Sequence, residues 1–108
     1  MVKQGDIIKI NFNPQSGHEQ AGYRPAVVVS NNYFNKVTKL AMVCPITNSS
    51  NDFPLHIKLD DRTTTTGKVM CQHIRTLDVE SRGYTFVECI PCDILQNIID
   101  IIFSEIEE

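Results

Sequence analysis

Apolar residues in this chain first recur at every second position and, only near the C-terminus, at every third or fourth. Ile8, Ile10 and Phe12 alternate with Lys9 and Asn11, the period of a strand with one buried face. Asn13-Pro14 ends that run. Ala26 to Val29 is unbroken apolar sequence, as expected of a strand covered on both faces and therefore central in its sheet. Leu40 to Ile46 predicts a third strand, stopped near Pro45, and Phe53, Leu55, Ile57 and Leu59 a fourth whose other face shows His56 and Lys58. Asp60-Asp61 closes the fourth. The stretch GKVMCQHIRTLD, from Gly67, is longer than a typical strand and predicts a bend at Gln72 or His73. Tyr84 to Cys89 is the last strand. The period then changes: Leu95, Ile98, Ile99, Ile102 and Ile106 mark an amphipathic helix, with Pro91 in its first turn and Asp93 at the positive end of its dipole. Five or six short strands and one terminal helix predict a mainly β (α+β) fold, a small curved antiparallel sheet or partial barrel capped by that helix. Ile94, Ile101 and Phe103 widen the helix stripe beyond the needs of one contact, so part of it is expected to meet a second subunit.

At 108 residues the chain is expected to form a single domain over 1–108. Its 42% hydrophobic and 21% charged content is that of a globular protein, and no run reaches the roughly 20 apolar residues of a membrane helix. Met1 to Asp6 lacks the apolar core of a signal peptide, so a cytoplasmic location without membrane attachment is expected. Cys44 and Cys71 sit singly in apolar runs, where cysteine behaves as a small hydrophobe; Cys89-Ile-Pro-Cys92 has metal-site spacing but lacks the second close pair that zinc would want. The net charge of −3 argues against a general nucleic-acid coat. Residues 1–50 nevertheless carry five lysines and arginines against two acids, which leaves room for a local basic groove.

The connection from Asn13 to Tyr23 is far longer than a hairpin turn, and such loops are often functional. It carries His18, Glu19 and Gln20 between Gly17 and Gly22, and Arg24 follows, held extended by Pro25. An imidazole, a carboxylate and a guanidinium together could form an acid-base set with a cation for an anionic transition state. By composition alone such a loop is ordinary solvated surface, Thr47 to Asn51 is a polar turn, and His73 and Arg75 are strand residues.

The combination is more specific than its parts. GHEQAGYRPAVVVS from Gly17, PIT at Pro45 to Thr47 and TGKVMCQHIRTLD from Thr66 occur in an order and spacing that resemble the MazF/PemK/Kid family of toxin-antitoxin ribonucleases. GDIIKINFNP from Gly5 and ECIPCDILQNIIDIIFSEI from Glu88 extend the resemblance almost end to end. It implies an SH3-like barrel of the CcdB/Kid/MazF kind, a homodimer with a groove for single-stranded RNA, and a metal-independent, cofactor-free endoribonuclease. It further implies restraint by a cognate MazE-like antitoxin whose C-terminal segment folds across this surface. The family's catalytic pair maps onto Arg24 and Thr47, with His18 or Glu19 the better proton acceptor because guanidinium holds its proton. Gln20, Tyr23, Asn48, Ser49, Gln72 and His73 are the candidate RNA contacts. The Kid branch carries a catalytic arginine and aspartate where this chain has Met70 and Gln72, so that mechanism does not transfer. Two other classes stay open on the residues: a non-catalytic RNA-binding or regulatory module, and a CcdB-like gyrase inhibitor, against which the absence of tryptophan counts.

Overall fold

The structure, a computed structural model, describes residues 1–13, 22–51 and 53–107. Seven strands appear among them in chain order: β1 (Asp6–Asn11), β2 (Tyr23–Val28), β3 (Ala41–Thr47), β4 (His56–Lys58), β5 (Lys68–Met70), β6 (Arg75–Leu77) and β7 (Tyr84–Cys89). They form one antiparallel sheet in the order β4-β5-β3-β2-β1-β7, with β6 also on β3. The sheet is central at β2, as its two-sided apolar sequence predicts. Ala26 and Val28 point into one core with Ile8, Ile10, Phe12, Ala41, Val43, Leu77 and Val79. Val27 and Val29 point into another with Ile7, Cys44, Ile46, Val69, Ile94 and Ile98. A register shift between Ile7 and Ile8 where β1 meets β7 adds local twist, which helps the sheet curl around both cores.

Pro45 does not stop β3 as the sequence predicts. On that edge β3 pairs with β6 through Val43 and with β5 from Ile46, so the missing N–H falls in the gap between the two partners. The predicted fourth strand is shorter than its apolar alternation, only His56–Lys58. The long stretch after Gly67 does bend at the expected place, through a 3-10 turn at Cys71–His73 that separates β5 from β6.

Two short helices were not legible as periodic sequence. Helix α1 (Asn32–Thr38) is capped by Asn31, whose side chain accepts the Phe34 N–H, and closes at Lys39 with φ 62°. It buries only Asn35, so it has no apolar stripe to betray it. The Asn35 amide donates to the Ser30 carbonyl and lies against the Ser30 hydroxyl, which accepts from the Met42 N–H at 2.9 Å. Helix α2 (Val79–Arg82) is capped by Asp78, accepting from the Ser81 N–H.

Helix α3 (Cys92–Ile106) follows Pro91, which stands at its N-cap rather than inside its first turn. Its deeply buried residues are Ile94 and Ile98, so of the predicted stripe Ile98 is sealed in the core while Leu95 and Ile102 are partly buried against it. Ile99, Ile102, Phe103 and Ile106 instead line an open apolar hollow of about 380 Å³ with Met42, Ile74 and Phe34. Phe103 and Ile106 are exposed. Cys44 and Cys71 are buried, and burial pushes both thiols up, Cys71 to about 12, so neither serves as a ready thiolate.

The loop between β4 and β5 is held from two sides. Arg62 donates to Asp60 at 2.8 Å and to Asp93, at the start of α3, at 3.0 Å. Glu88, on β7, accepts from the backbone and hydroxyl of both Thr64 and Thr65. Burial pushes the Glu88 carboxyl up, but these bonds outweigh it and hold the group at about 2. Because that value lies below the unfolded one, the carboxylate's contribution is complete above about pH 4.5 and fades as the pH falls toward 2. Glu88→Gln is therefore expected to lower Tm at pH 7 and to flatten the wild-type loss of Tm between about pH 4.5 and pH 2. Parallel Tm profiles of the two proteins across that range would contradict the assignment.

Candidate active site

The rim of the site begins where β1 leaves the sheet. The Phe12 N–H donates to Gly22 O at 2.9 Å, and the Gly22 N–H to Asn13 Oδ1 at 3.0 Å, closing a neck beneath the long loop. Two guanidinium groups clamp that neck from below. Arg75 donates to Phe12 O at 2.8 Å and lies 5.8 Å from the Phe12 ring centroid, while Arg82 donates to Asn11 O and Asn13 O at 2.8 and 2.6 Å. Arg75 is thus a scaffold residue, as its strand position suggested. His18, Glu19 and Gln20 lie outside the described residues.

Arg24 is the second residue of β2, half-buried and paired with Ile10 of β1. Thr47 is the last residue of β3. The rungs of β2 with β3 run Val28↔Val43, Val27↔Cys44 and Ala26↔Pro45. The rungs end there, and Arg24 and Thr47 are each two residues beyond the last of them. Period-2 alternation puts both on the sheet face that carries Ala26 and Pro45, with adjacent strands about 4.8 Å apart. Residues 23 positions apart in sequence are thereby brought to the same face of adjacent strands. Tyr23, by the same alternation, is on the opposite face, where its hydroxyl lies 3.2 Å from Thr85 Oγ1. It is 60% exposed, so its ring remains open to a stacking partner.

Beyond Thr47 the chain turns in a way that prepares its hydroxyl. Thr47 Oγ1 accepts the Ser49 N–H at 3.2 Å, which leaves the hydroxyl hydrogen for an acceptor outside the turn. Asn48 Oδ1 accepts from the Thr66 hydroxyl at 3.2 Å, tying this turn to the loop that Glu88 anchors. Thr47, Asn48 and Ser49 share a polar hollow of about 210 Å³ with Lys58, Gly67 and Lys68. On the other side of Asn48 a second hollow, about 360 Å³, is lined by Lys9, Pro25, Val87 and Thr64 to Thr66. The three lysines were not singled out in the sequence. The available signal was the strand alternation that set Lys58 beside His56 and Lys9 between Ile8 and Ile10.

Gln72 and His73 occupy the 3-10 turn, both half-buried. Gln72 Nε2 lies 3.1 Å from His56 Nε2, and the buried Gln72 Oε1 has no hydrogen-bond partner among the described residues. The His56 ring in turn packs against exposed Phe53 at 5.5 Å between centroids. An aromatic ring at the surface beside an amide acceptor with spare capacity suits the face and edge of an unpaired base. Met70, at the Kid-type arginine position, is buried and apolar, so it takes no part in proton transfer.

Comparison with known proteins places these features in context. The family model described as PemK-like, MazF-like toxin of type II toxin-antitoxin system matches residues 3–102. Endoribonuclease PemK of Escherichia coli is 34% identical over 102 residues, covering 91% of this chain and 77% of that protein. The crystal structure of MazF from Deinococcus radiodurans superimposes with a TM-score of 0.90 at 35% identity, covering 96% of this chain and 94% of that one. A MazE-MazF structure from the same organism gives a TM-score of 0.84 at 32% identity, over 96% and 94% of the two chains.

The site also has a backbone requirement. Gly67 has φ +119°, and a Cβ there would stand 2.4 Å from the Thr47 carbonyl oxygen. Gly22, with φ +82°, has nothing within 4 Å of the same added atom. Gly67→Ala is expected to cost about 1–3 kcal/mol from backbone strain, with the collision against Thr47 adding to it. Gly22→Ala should cost only the strain. Equal destabilisation of the two variants in urea titrations would contradict the close approach at Thr47.

Proposed function

This chain belongs to the PemK-like, MazF-like toxin family of type II toxin-antitoxin systems, and on that premise we propose that it is an endoribonuclease toxin acting on single-stranded RNA in the cytoplasm. The observation that supports the chemical reading is the β2–β3 pairing, beyond whose last rung, Ala26↔Pro45, Arg24 and Thr47 follow on the same face, Thr47 beside a polar hollow. No helix among the described residues is long and apolar enough to cross a membrane.

The reaction this arrangement suits is transesterification. The 2′-oxygen of the nucleotide before the cut attacks the adjacent phosphorus, and the bond to the departing 5′-oxygen breaks. The proton lost from the 2′-hydroxyl goes to a base, and a second proton reaches the leaving oxygen. The products are a 2′,3′-cyclic phosphate and a 5′-hydroxyl end, with no net change in oxidation state. Arg24 stabilises the charge on the crowded phosphorane, the Thr47 hydroxyl donates to a non-bridging oxygen, and His18 or Glu19 handles the protons. Because the nucleophile belongs to the substrate, the step needs neither a metal nor a cofactor to generate one. Gln20, Tyr23, Asn48, Ser49, Gln72 and His73 are assigned to the bound strand, joined by Phe53 and His56 next to Gln72.

Two partners complete the reading. A MazE-like antitoxin is assigned to the same face, using an extended C-terminal segment with acidic side chains in place of phosphates. A second copy of the chain is assigned to the apolar hollow on α3, where Phe103 and Ile106 stand exposed beside Ile99 and Ile102.

Purified protein is expected to cleave single-stranded RNA in EDTA and to leave DNA uncut, with end-mapping showing cyclic phosphate and 5′-hydroxyl termini. Arg24→Ala and Thr47→Ala should each lower kcat by about 10²–10³-fold, the usual loss of one transition-state donor. Wild-type rates in either variant would remove that residue from the mechanism. Phe103→Glu should shift sedimentation equilibrium toward the monomer; an unchanged mass would move the dimer contact elsewhere.

A further inference from the structure

Three lysines meet at the end of β2 opposite to Arg24. Because β1 and β2 are antiparallel, the segment leading into β1 lies beside the chain leaving β2, and the Gly5 N–H donates to Val28 O at 2.8 Å. Two further bonds tie that segment to the approach to α1: the Gln4 N–H donates to Asn32 Oδ1 at 2.8 Å, and Gln4 Nε2 donates to Val29 O at 2.9 Å. Lys3 is thereby brought to Lys36 and Lys39 around a hollow of about 340 Å³, whose other lining is Met1, Val2 and Asn32. All three lysines are exposed, and none of them is in an ion pair among the described residues. Asp6, the acid beside this segment, is buried and accepts the Lys3 N–H at 2.9 Å. Its carboxylate does not line the hollow. Like charges around one cavity repel each other, so the arrangement is most favourable with an anion between them.

The negative end of the α1 dipole accounts for cations at the helix C-terminus. It does not account for Lys3, which another segment supplies, and it does not require a lysine at position 39, where φ of 62° usually selects glycine or asparagine. An aromatic ring stands beside the charges. Tyr33 is one helical turn from Lys36 and Val37, and at 77% it is the most exposed large apolar side chain among the described residues. Phe34, about 100° further round the helix, lines the apolar hollow assigned to the second copy, so α1 serves the two hollows from different faces.

Resting on the ribonuclease reading, we infer that this end of the molecule is an anchor for single-stranded RNA outside the segment that is cut. Lys3, Lys36 and Lys39 bind backbone phosphates, and the Tyr33 ring stacks on an unpaired base. Lysine is a compact point charge that holds phosphate without reading sequence, and an exposed ring beside such charges favours a single strand over a duplex, whose bases are already stacked. From Arg24 to Val28 alone β2 rises about 13 Å, so the anchor does not touch the phosphate under attack. It adds affinity for long transcripts and leaves the choice of cut to the rim.

Single-stranded RNA with 2′-O-methyl ribose throughout has no 2′-hydroxyl to attack phosphorus, so fluorescence anisotropy reads binding without turnover. Strands centred on the mapped cut are lengthened stepwise on the 5′ or the 3′ side. Wild-type affinity is expected to rise several-fold once one side reaches the anchor. The Lys3→Gln/Lys36→Gln/Lys39→Gln variant should lack that rise while matching the wild type on the shortest strand. On long strands its log K against log salt should be shallower by about 2, at about 0.7 for each phosphate contact. Lys3→Arg/Lys36→Arg/Lys39→Arg should restore the rise, Tyr33→Ala should reduce it, and Tyr33→Phe should keep it. The inference is overturned if the glutamine variant follows the wild type at every length, if it loses affinity equally at all lengths, or if it loses affinity for the antitoxin while binding long RNA normally. A length series of uniform sequence needs no mapped cut and reports on the lysines even where the wild type cuts no transcript; that last result overturns the ribonuclease reading alone.

Discussion

Burial of β2 on both faces is the constraint on which the rest of the molecule depends. Ala26 and Val28 are sealed into one core, Val27 into the other, and all three have no exposure to solvent. A slip of one residue against β1 or β3 would exchange every side chain between the two cores, which differ in their partners and covering elements. The register is therefore held along the whole strand, including its end at Tyr23 and Arg24. Placement of Arg24 on the face it shares with Thr47 follows from hydrophobic packing several residues away.

The remaining cations divide into scaffold and surface. Of the four arginines in the chain, Arg62 ties the loop before β5 to the start of α3, and Arg75 and Arg82 bind main-chain oxygens at the neck of the β1–β2 loop. A guanidinium can satisfy several carbonyls at once in fixed geometry, which suits it to clamp irregular backbone. Arg24 differs in standing on the same face as a threonine and two lysines. The same division explains how a protein of net charge −3 presents lysines beside Thr47, since the acidic excess falls in residues 51–108 and part of it is committed to Arg62 and to the threonine loop.

The site is shaped more by connections than by strands. Glu88 holds Thr64 and Thr65, Thr66 holds Asn48, and Gly67 passes close to the Thr47 carbonyl where a side chain would not fit. The turn that orients the Thr47 hydroxyl is thus reached through a chain of contacts beginning on β7. Helix α3 serves the same frame from the other core through Ile94 and Ile98, while leaving its distal apolar face open.

Much of this was legible in the sequence, for identifiable reasons. Period-2 alternation located β1, the continuous apolar run identified β2 as central, Tyr84 to Cys89 was read as the last strand, the period change identified α3, and the excess length after Gly67 located the bend at Gln72 and His73. Family-like motifs singled out Arg24 and Thr47. Helix α1 was invisible because its stability comes from the Asn31 cap and buried Asn35 rather than an apolar stripe. Pro45 read as a stop because an isolated strand gives no sign of where its partners change. Lys58 and Lys68 are ten residues apart and look like solvated charge in a linear reading; the β4–β5 rung makes them neighbours. Sequence by itself determined the strands, the terminal helix and the residue types available for chemistry, because those depend on local periodicity and motif. Only the tertiary structure decided which of them meet, because strand register is a pairing between distant segments, enforced by two cores that no local window contains.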